Sequence, residues 1–398
     1  MPYYIGDVIR QSEELVARTP EKFGESGITI SLNTTVESVD YDKGLLKTAA
    51  GETIGYDHLV IATGTNAIRP DIPGIDRDGV FVLKNLTDGI AVKKWVEDNH
   101  CRRAVVVGAG FVAMELAEAF RTRDMDTTVV YRGTRPIKRW DKALTDIVTE
   151  ELEKNGVIFV TGTSPRAVEE SGDGLRLVTD NGDFDADVIV FGLGVKPETS
   201  IARDIGLEMG TSGAIKVNFS QRTSREEIFA VGDCAEAFHR IRREWVHIPL
   251  GDTANKQGRI VGCIIGGAPR VFQGVVGAQS FKFFGLEIAA TGIDEAEAVA
   301  CGYHPESHVT KGTFRTPSMQ GRARMSIKLT ADRATGRLLG AQAVSNIGAV
   351  GRINILSACL WSEMTLDQIG YLDFAYSPPF GGAWDIVHRA AQGLQRKL

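Results

Sequence analysis

Hydrophobic and polar positions alternate over much of residues 28–61, which is the period of β-strands. The last run of this segment, Leu59–Ala62, is wholly apolar and stops at Thr63-Gly64, so it predicts a buried strand followed by a turn. A segment rich in proline and glycine follows at residues 66–80 and is typical of a crossover between domains.

A strand, a glycine-rich turn, a helix and a second strand follow one another in a single window, which predicts a βαβ unit. The strands are predicted at Ala104–Val107 and Thr127–Tyr131. The predicted apolar face of the helix consists of Val112, Leu116, Ala119 and Phe120.

Elsewhere, helical and strand periods alternate until the last third of the chain. The further predictions are a helix at 87–99 capped by Thr87 or Asp88, a helix at 141–157, strands within 157–190, a strand at Ile228–Val231, a loop and helix over 247–267, and an antiparallel α+β module from about residue 275.

Composition fits an α/β protein of more than one domain. A chain of 398 residues is long enough for two or three domains, and its 44 glycines fall mainly in turns between short apolar runs. The net charge of −6 argues against general nucleic-acid binding, which leaves a basic footprint. Because no apolar run approaches the roughly 18 residues of a membrane span and no signal peptide is recognisable, we expect no membrane partner and a cytoplasmic location.

The five cysteines, Cys101, Cys234, Cys263, Cys301 and Cys359, are far apart in the sequence. None forms a CxxC motif or stands at metal-ligand spacing from a histidine, so we expect reduced thiols and no metal site. None is well placed as a redox cysteine.

Gly108-x-Gly110-x-x-Ala113 has the form of a dinucleotide-binding turn. Gly108 permits the tight turn, Gly110 lets the backbone approach a pyrophosphate, and the small Ala113 lets the helix pack on the strand. Backbone amides at the start of the helix, including those of Phe111 and Val112, are then expected to face the diphosphate.

The residues that end the second strand bear on which nicotinamide cofactor is bound. An acidic side chain there would bind the ribose of NADH, whereas this chain has Tyr131-Arg132, with Arg135 and Lys138 close behind. Basic residues at this place favour the 2′-phosphate of NADPH. The alternative stays open that the arginine serves solubility alone and that the cofactor is NADH.

Residues Thr223–Asp233, "TSREEIFAVGD", together with "LVIATG" and the glycine turn, resemble the pyridine nucleotide-disulfide oxidoreductase family. The resemblance covers nearly the whole chain. It implies an α/β two-dinucleotide-binding flavoprotein with FAD/NAD(P)-binding Rossmann-like domains and a C-terminal α+β dimerisation domain. The implied boundaries are 1–78 and 196–270 for the FAD domain, 79–195 for the NAD(P)H domain, and 271–398 for the dimerisation domain.

The same resemblance implies roles for further residues. Around FAD, Asp233, held by Gly232, would bind the ribityl chain, Val36 would meet the adenine, and Thr63 and Gly64 would pack near the cofactor. The segment that contacts the flavin ring would comprise Leu250, Gly251, Thr253 and Ala254, at a helix N-terminus whose positive end stabilises negative charge on the reduced flavin.

At the nicotinamide, the implied residues are Gly192, Leu193 and Gly194 along one side, Phe111 as an aromatic lid, and Glu115 as a nearby carboxylate. For Phe111 the alternative is a packed core aromatic.

Residues 372–391, "LDFAYSPPFGGAWDIVHRAA", resemble the branch that contains coenzyme A-disulfide reductases, NADH oxidases and NADH peroxidases. In that branch Tyr376 matches a tyrosine that reaches into the partner's active site, which implies a homodimer.

The opening "MPYYIG" resembles the segment that follows the branch's single redox cysteine. We therefore expect a chain truncated at its N-terminus, without the first βαβ of the FAD domain and without the catalytic cysteine. A second departure is Ser318-Met319, where the branch carries a Tyr-Tyr-Pro-Gly segment. Nearby Arg315, Arg322 and Arg324 could bind substrate phosphates or form a solvated strand face.

The resemblance implies transfer of a hydride from NAD(P)H to FAD and then of electrons to a low-molecular-weight disulfide such as coenzyme A disulfide. Two alternatives stay open. One is reduction of dioxygen or peroxide, with the cysteine cycling through a sulfenate. The other is a non-catalytic nucleotide-binding protein in the chain as it stands.

Overall fold

The computed structural model describes most of the chain, namely residues 1–172, 174–316, 319–321 and 323–398. The predictions that concern Ser318 and Arg322 fall outside the described residues. Within the described residues, no helix is both long and apolar enough to cross a membrane.

The helices and strands are as follows. The α-helices are α1 (Pro2–Ile5), α2 (Pro20–Glu25), α3 (Leu86–Asp98), α4 (Phe111–Thr122), α5 (Lys142–Lys154), α6 (Ser200–Asp204), α7 (Gly251–Ile265), α8 (Glu295–Ala300), α9 (Ala349–Trp361), α10 (Leu366–Ile369) and α11 (Ile386–Gln395), and the 3₁₀ helices are Ser12–Leu15 and Gly232–Cys234. The strands are β1 (Val36–Asp40), β2 (Leu45–Thr48), β3 (Thr53–Gly55), β4 (Leu59–Ile61), β5 (Thr65–Ala67), β6 (Val80–Val82), β7 (Arg103–Val107), β8 (Asp126–Tyr131), β9 (Val157–Thr161), β10 (Pro165–Ser171), β11 (Gly174–Thr179), β12 (Asp183–Ala186), β13 (Val188–Phe191), β14 (Val195–Pro197), β15 (Ile228–Ala230), β16 (Ala237–His239), β17 (Glu244–Val246), β18 (Gln279–Phe283), β19 (Leu286–Gly292), β20 (Pro305–Thr313), β21 (Arg324–Asp332) and β22 (Leu338–Ser345).

The chain forms two compact units, each assembled from separate stretches. Unit 1 consists of Met1–Arg10, Ala67–Gly194 and Val276–Leu398. Unit 2 consists of Gln11–Asn66 and Val195–Val275.

Unit 1 contains a parallel sheet in the order β6-β13-β7-β8-β9. Its central strand β7 is fully buried from Ala104 to Val107, because a run of valines can be covered on both faces. Leu116 and Phe120 of α4 lie in the same buried cluster as Val106. The predicted βαβ unit is therefore present.

The C-terminal part of unit 1 is an antiparallel sheet in the order β18-β19-β22-β21-β20, as predicted for an α+β module. Phe281 and Phe283 of β18 lie in the buried cluster that includes α4. Glu118 of α4 forms an ion pair with Lys282 and accepts a hydrogen bond from the amide of Phe284 at 2.7 Å. The module and the parallel sheet thus share one core.

The first ten residues are held firmly on unit 1. Ile5 is fully buried, and Gly6 approaches Ala119 of α4 so closely that a Cβ on Gly6 would lie 3.0 Å from the Cα of Ala119. Asp7 forms ion pairs with Lys93 at 2.7 Å and with Arg123 at 2.5 Å. This apolar opening therefore has a packing role.

Unit 2 has its core around the parallel pair β4–β15, in which Leu59 lies opposite Ile228. Ile61, Ala230 and Cys234 are buried in the same cluster. The antiparallel sheet β1-β2-β3, the hairpin β16–β17 and β14 contribute further strands to this unit.

Three local predictions were wrong. Residues 28–35 form no strand: Ile28, Ile30 and Leu32 are 48%, 40% and 64% exposed, because no described strand lies beside them to pair with or cover them. Helix α3 is capped by Asn85, whose side chain accepts from the amide of Asp88, so Asp88 is the third residue of a capping box. Val112 is 43% exposed and is not on the buried face of α4.

Candidate nucleotide-binding sites

The carboxyl ends of β7, β8 and β13 lie side by side, since these strands are neighbours in one parallel sheet. The turn after β7 passes through Gly108 at φ +124°, and a Cβ there would overlap the carbonyl oxygen of Gly192 in the turn after β13. The amide of Gly192 in turn donates to the carbonyl of Val107 at 2.8 Å. Only glycine fits at position 108, as its proposed role in a tight turn requires.

Gly110 is the N-cap of α4, and no side chain caps this helix. A Cβ on Gly110 would meet no heavy atom within 4 Å, so the space in front of the first turn is open. The first amides of a helix, here those of Phe111 and Val112, lack partners within the helix and carry its positive end. This arrangement fits a pyrophosphate.

The loop after β8 folds back over the glycine turn. The amide of Ile137 donates to the carbonyl of Ala109 at 2.9 Å, with Ile137 held at φ +52°. Arg132 and Lys138 are exposed on this loop, and no hydrogen bond or ion pair of the described residues involves either side chain. Both cations are available to an anionic ligand that approaches the Gly110 turn.

The turn after β13 contributes the third part of this edge. Gly194 is at φ +101° and its carbonyl accepts from the amide of Ile68 at 2.9 Å. Leu193, between the two glycines, is 37% exposed. The structure therefore brings together the predicted residues of the glycine turn, the end of β8 and the turn at 192–194.

Phe111 and Glu115 lie one turn apart on the same face of α4. The ring of Phe111 stacks on that of Phe281, with centroids 4.6 Å apart and planes at 29°. The hydroxyl of Tyr3 donates to Oε1 of Glu115 at 3.3 Å. Phe111 thus has a packing partner besides its proposed role as a lid.

Burial determines the electrostatics around Glu115. It raises the pKa of this carboxyl above its usual range, while the hydrogen bond from Tyr3 opposes the shift. Burial, together with the nearby charge of Glu115, raises the pKa of Tyr3 to about 12. Tyr3 is therefore a neutral hydrogen-bond donor at any ordinary pH.

In unit 2, the ends of β4 and β15 bring Thr63, Gly64, Gly232 and Asp233 to one edge of the parallel pair. The hydroxyl of Thr65 lies 3.4 Å from Oδ2 of Asp233. Nε2 of His247 lies 2.8 Å from the backbone carbonyl of Asp233. Thr63 is exposed and donates to the carbonyl of Glu198 at 2.6 Å.

The N-terminus of α7 lies beside the Asp233 turn. Gln257 accepts from the amide of Gly232 at 2.7 Å, and a Cβ on Gly232 would lie 3.4 Å from that of Ala254. Leu250 is the N-cap of α7, and no side chain caps it. Thr253 is buried, whereas Gly251 faces open space. This edge presents a half-buried carboxylate and an uncapped helix start, which suits a ligand with both hydroxyl and anionic groups.

Two predicted residues are not joined to these edges by any described hydrogen bond or ring contact. Val36 begins β1 and is half-buried. Tyr376, in the segment between α10 and α11, is 53% exposed.

Four residues of these edges were not predicted from the sequence, namely Tyr3, Thr65, His247 and Gln257. Gln257 could have been found, since it stands one helical turn after Thr253 on the same face. No sequence signal links Tyr3 with Glu115, because 112 residues separate them.

Comparison with known proteins identifies the family. The profile of the pyridine nucleotide-disulphide oxidoreductase family matches residues 3–258, and that of the family's dimerisation domain matches residues 278–387. The chain belongs to the pyridine nucleotide-disulphide oxidoreductase family. This confirms the predicted fold class and the prediction that the chain is an oxidoreductase.

Three relatives illustrate the branch. The NAD(P)H sulfur oxidoreductase (CoA-dependent) of Pyrococcus abyssi is 34% identical over 96% of this chain and 86% of its own length. The structure of an NAD-dependent persulfide reductase from A. fulgidus has a TM-score of 0.96 at 32% identity and covers all of this chain and 75% of that one. An engineered water-forming NADPH oxidase, derived from an NADH oxidase of Lactobacillus brevis and bound to NADPH, has a TM-score of 0.95 at 28% identity over 100% and 89% of the two chains.

These relatives confirm the predicted branch. They also include an NADPH-bound and an NADH-bound structure, and an FAD-dependent member of the family is among the similar structures. The predicted cofactors, FAD together with either NADPH or NADH, are confirmed, and the choice between NADPH and NADH is not.

Proposed function

We propose that the protein is a cytoplasmic, homodimeric enzyme that uses NADPH to reduce a low-molecular-weight disulfide, such as coenzyme A disulfide or a persulfide, by way of FAD. The observation that carries the proposal is a pair of parallel-strand edges, each with a glycine turn that lies beside a helix N-terminus that no side chain caps. One is at Gly110 of unit 1 and the other is at Leu250 of unit 2. Both fit phosphate-bearing cofactors.

The cofactors supply the redox chemistry when bound: the nicotinamide gives a hydride and the flavin passes electrons on. In this proposal the protein binds and orients them. Gly108 and Gly110 admit the diphosphate of NADPH, and the turn at Gly192–Gly194 borders the nicotinamide. Asp233 accepts hydrogen bonds from the ribityl hydroxyls of FAD, and the N-terminus of α7 stabilises negative charge on its ring.

The choice of NADPH is supported by the spacing of substitutions in the engineered oxidase. They change a glycine to alanine, then eighteen positions later the run Asp-Ala-Met to Ala-Arg-Ser, and five positions beyond that run a proline to arginine. At the same spacing this chain has Ala113, Tyr131-Arg132-Gly133 and Lys138. It therefore carries alanine, arginine and a second cation at the corresponding places and lacks the aspartate.

The sulfur-containing acceptor is supported by two relatives, a CoA-dependent sulfur oxidoreductase and a persulfide reductase. Two of the chain's five cysteines are poorly suited to supply the thiolate that such chemistry needs. Cys101 and Cys359 are buried, and burial raises the pKa of each to about 11. The runner-up acceptor is dioxygen, which the engineered oxidase reduces to water according to its name.

The homodimer is supported by the C-terminal match to a dimerisation domain and by an exposed aromatic surface in the same region. The members of this aromatic surface are Tyr371, Tyr376, Phe380 and Trp384, which are 68%, 53%, 70% and 55% exposed.

The proposal is tested by purifying the chain and recording its absorbance between 350 and 500 nm before and after anaerobic addition of NADPH. We expect a bound flavin whose absorbance is bleached by NADPH. Reoxidation is then followed with coenzyme A disulfide, with polysulfide and with dioxygen in separate runs. A colourless chain that still binds NADPH would support a nucleotide-binding protein instead, and a chain that binds neither would contradict the proposal.

A further inference from the structure

Tyr3 is the only residue of the first stretch of unit 1 whose side chain forms a described hydrogen bond with the face of α4 that carries Phe111. Its hydroxyl lies 3.3 Å from Oε1 of Glu115. Glu115 follows Phe111 by one helical turn, so a contact that fixes Glu115 acts on the same face as the proposed lid.

The position of Tyr3 is set by its neighbours on both sides. The ammonium of Lys93 lies 4.3 Å from the ring centroid of Tyr4. Arg123 donates to the carbonyl of Ile5 at 3.1 Å, and the close approach of Gly6 to Ala119 fixes the distance between this stretch and α4. Because these contacts hold the backbone, the Tyr3 side chain needs little further ordering to reach Glu115.

We infer that Tyr3 is a positioning residue for Glu115, which holds its carboxylate toward the nicotinamide nucleotide bound at the Gly110 turn. This inference rests on the proposed function, and on the family resemblance, which implies that Glu115 is a carboxylate near the nicotinamide. Tyr3 itself need not touch the cofactor. It acts by restricting Glu115 to one orientation and by stabilising its ionised form.

Several charged or titratable groups face Glu115, and they define what a pH experiment would report. Tyr3 and the Met1 ammonium face it from the first stretch, Lys282 faces it from β18, and Glu118 lies on its own helix. The Tyr3 hydrogen bond favours the carboxylate, so its loss shifts the titration of Glu115 to higher pH.

The experiment measures the Kd of the chain for NADP⁺ by titration calorimetry between pH 5 and pH 8.5. NADP⁺ is stable across this range and binding needs no turnover. The variants are Tyr3→Phe, Tyr4→Phe and Glu115→Gln, and the double variant of Tyr3 and Glu115. Tyr4→Phe is the matched control because it removes a hydroxyl from the adjacent ring without changing its contact with Lys93.

We expect Tyr3→Phe to raise Kd about fivefold at pH 8.5 and less at pH 5, because a hydrogen bond to an ionised acceptor is the stronger one. Tyr4→Phe should leave the pH profile of Kd unchanged. In the Glu115→Gln background, Tyr3→Phe should have no further effect. Thermal unfolding measured in parallel shows whether each variant is folded.

Equal profiles for Tyr3→Phe and Tyr4→Phe, or a full effect of Tyr3→Phe in the Glu115→Gln background, would overturn the inference alone. A wild-type chain that binds no NADP⁺ at any pH would overturn the proposed function, and this inference with it.

Discussion

The hydroxyl of Thr65 lies 3.4 Å from Oδ2 of Asp233, across 168 positions of sequence. The contact joins the first residue of β5 to the turn after β15 and orients the carboxylate at the edge of unit 2. A carboxylate fixed in this way can accept hydrogen bonds from a polyol without first being ordered.

Asp233 should therefore contribute strongly to FAD binding. We expect Asp233→Ala to weaken FAD binding by about tenfold to a hundredfold, since it removes hydrogen bonds to a charged acceptor. The ratio of flavin to protein absorbance after gel filtration measures this. Asp40→Ala is the control, because Asp40 is an exposed residue of the same unit whose partner is Lys43. Equal flavin content in both variants would remove Asp233 from the site.

The two glycines of the turn after β7 should respond differently to the same substitution. Gly108→Ala places a methyl group against the carbonyl of Gly192 at positive φ, so we expect a loss of about 2–3 kcal/mol in the free energy of unfolding. Gly110→Ala meets open space and should leave stability nearly unchanged, while its methyl group weakens NADPH binding by about tenfold or more. Denaturant unfolding and fluorescence titration with NADPH distinguish the two effects. Normal NADPH affinity in Gly110→Ala would contradict this use of the turn.

Arg132 should determine the preference for NADPH. We expect Arg132→Glu to raise the KM for NADPH by at least about tenfold and to lower that for NADH, because the new carboxylate repels the 2′-phosphate and accepts from a ribose hydroxyl. Arg102→Glu is a matched control. It makes the same charge change at the opposite end of the same sheet, just before β7. If both variants change the two constants alike, net charge alone is responsible.

Glu115 should make stability fall as the pH rises. Burial raises its folded pKa above the unfolded value, so the folded state binds the extra proton. Its favourable contribution is complete below the unfolded pKa near 4.5 and is lost as the pH rises through the folded pKa. The free energy of unfolding of Glu115→Gln, relative to wild type, should therefore become more favourable from pH 4 to pH 8. Denaturant unfolding at both pH values measures the difference, and a constant difference would contradict the prediction.

Phe380 should lie in the dimer interface. It is 70% exposed and has no described ring partner. We expect Phe380→Asp to raise the dimer dissociation constant by about thirtyfold or more, since it puts a charge into a buried aromatic contact. Light scattering after size exclusion measures the mass. Val271→Asp, at a 57% exposed position of unit 2, should leave the dimer intact.

Prediction from sequence succeeded where one local pattern carries the information. The valines of β7, the glycine turn and the start of α4 stand within a few residues of one another, so their period and spacing suffice to predict the βαβ unit. The strand before Asp233 and the turn that follows it could be predicted for the same reason. The strand-like alternation predicted for residues 28–61 is not matched by strands over residues 28–35, because alternation describes a surface that needs a partner strand, and the sequence of the segment does not say whether one is present.

Contacts between distant parts of the chain could not be predicted from local sequence patterns. The stacking of Phe111 on Phe281 joins α4 to a strand 170 positions later, and nothing in either segment indicates the other. The cap at Asn85 could not be chosen from the sequence, because Asn85, Thr87 and Asp88 are all acceptable capping residues. Its extended backbone and its hydrogen bond from the amide of Asp88 identify it in the structure.

The division of unit 1 into three stretches has a consequence for how the protein is made. The stretch that completes it begins at Val276, so the glycine turn leaves the ribosome long before the strand that covers Phe111 has been synthesised. At the usual pace of elongation, roughly 5–20 residues per second, the apolar face of α4 stays without that cover for about ten seconds or more. Nascent chains of this protein are therefore expected to depend on chaperones during synthesis, and early termination should yield insoluble fragments rather than a working half.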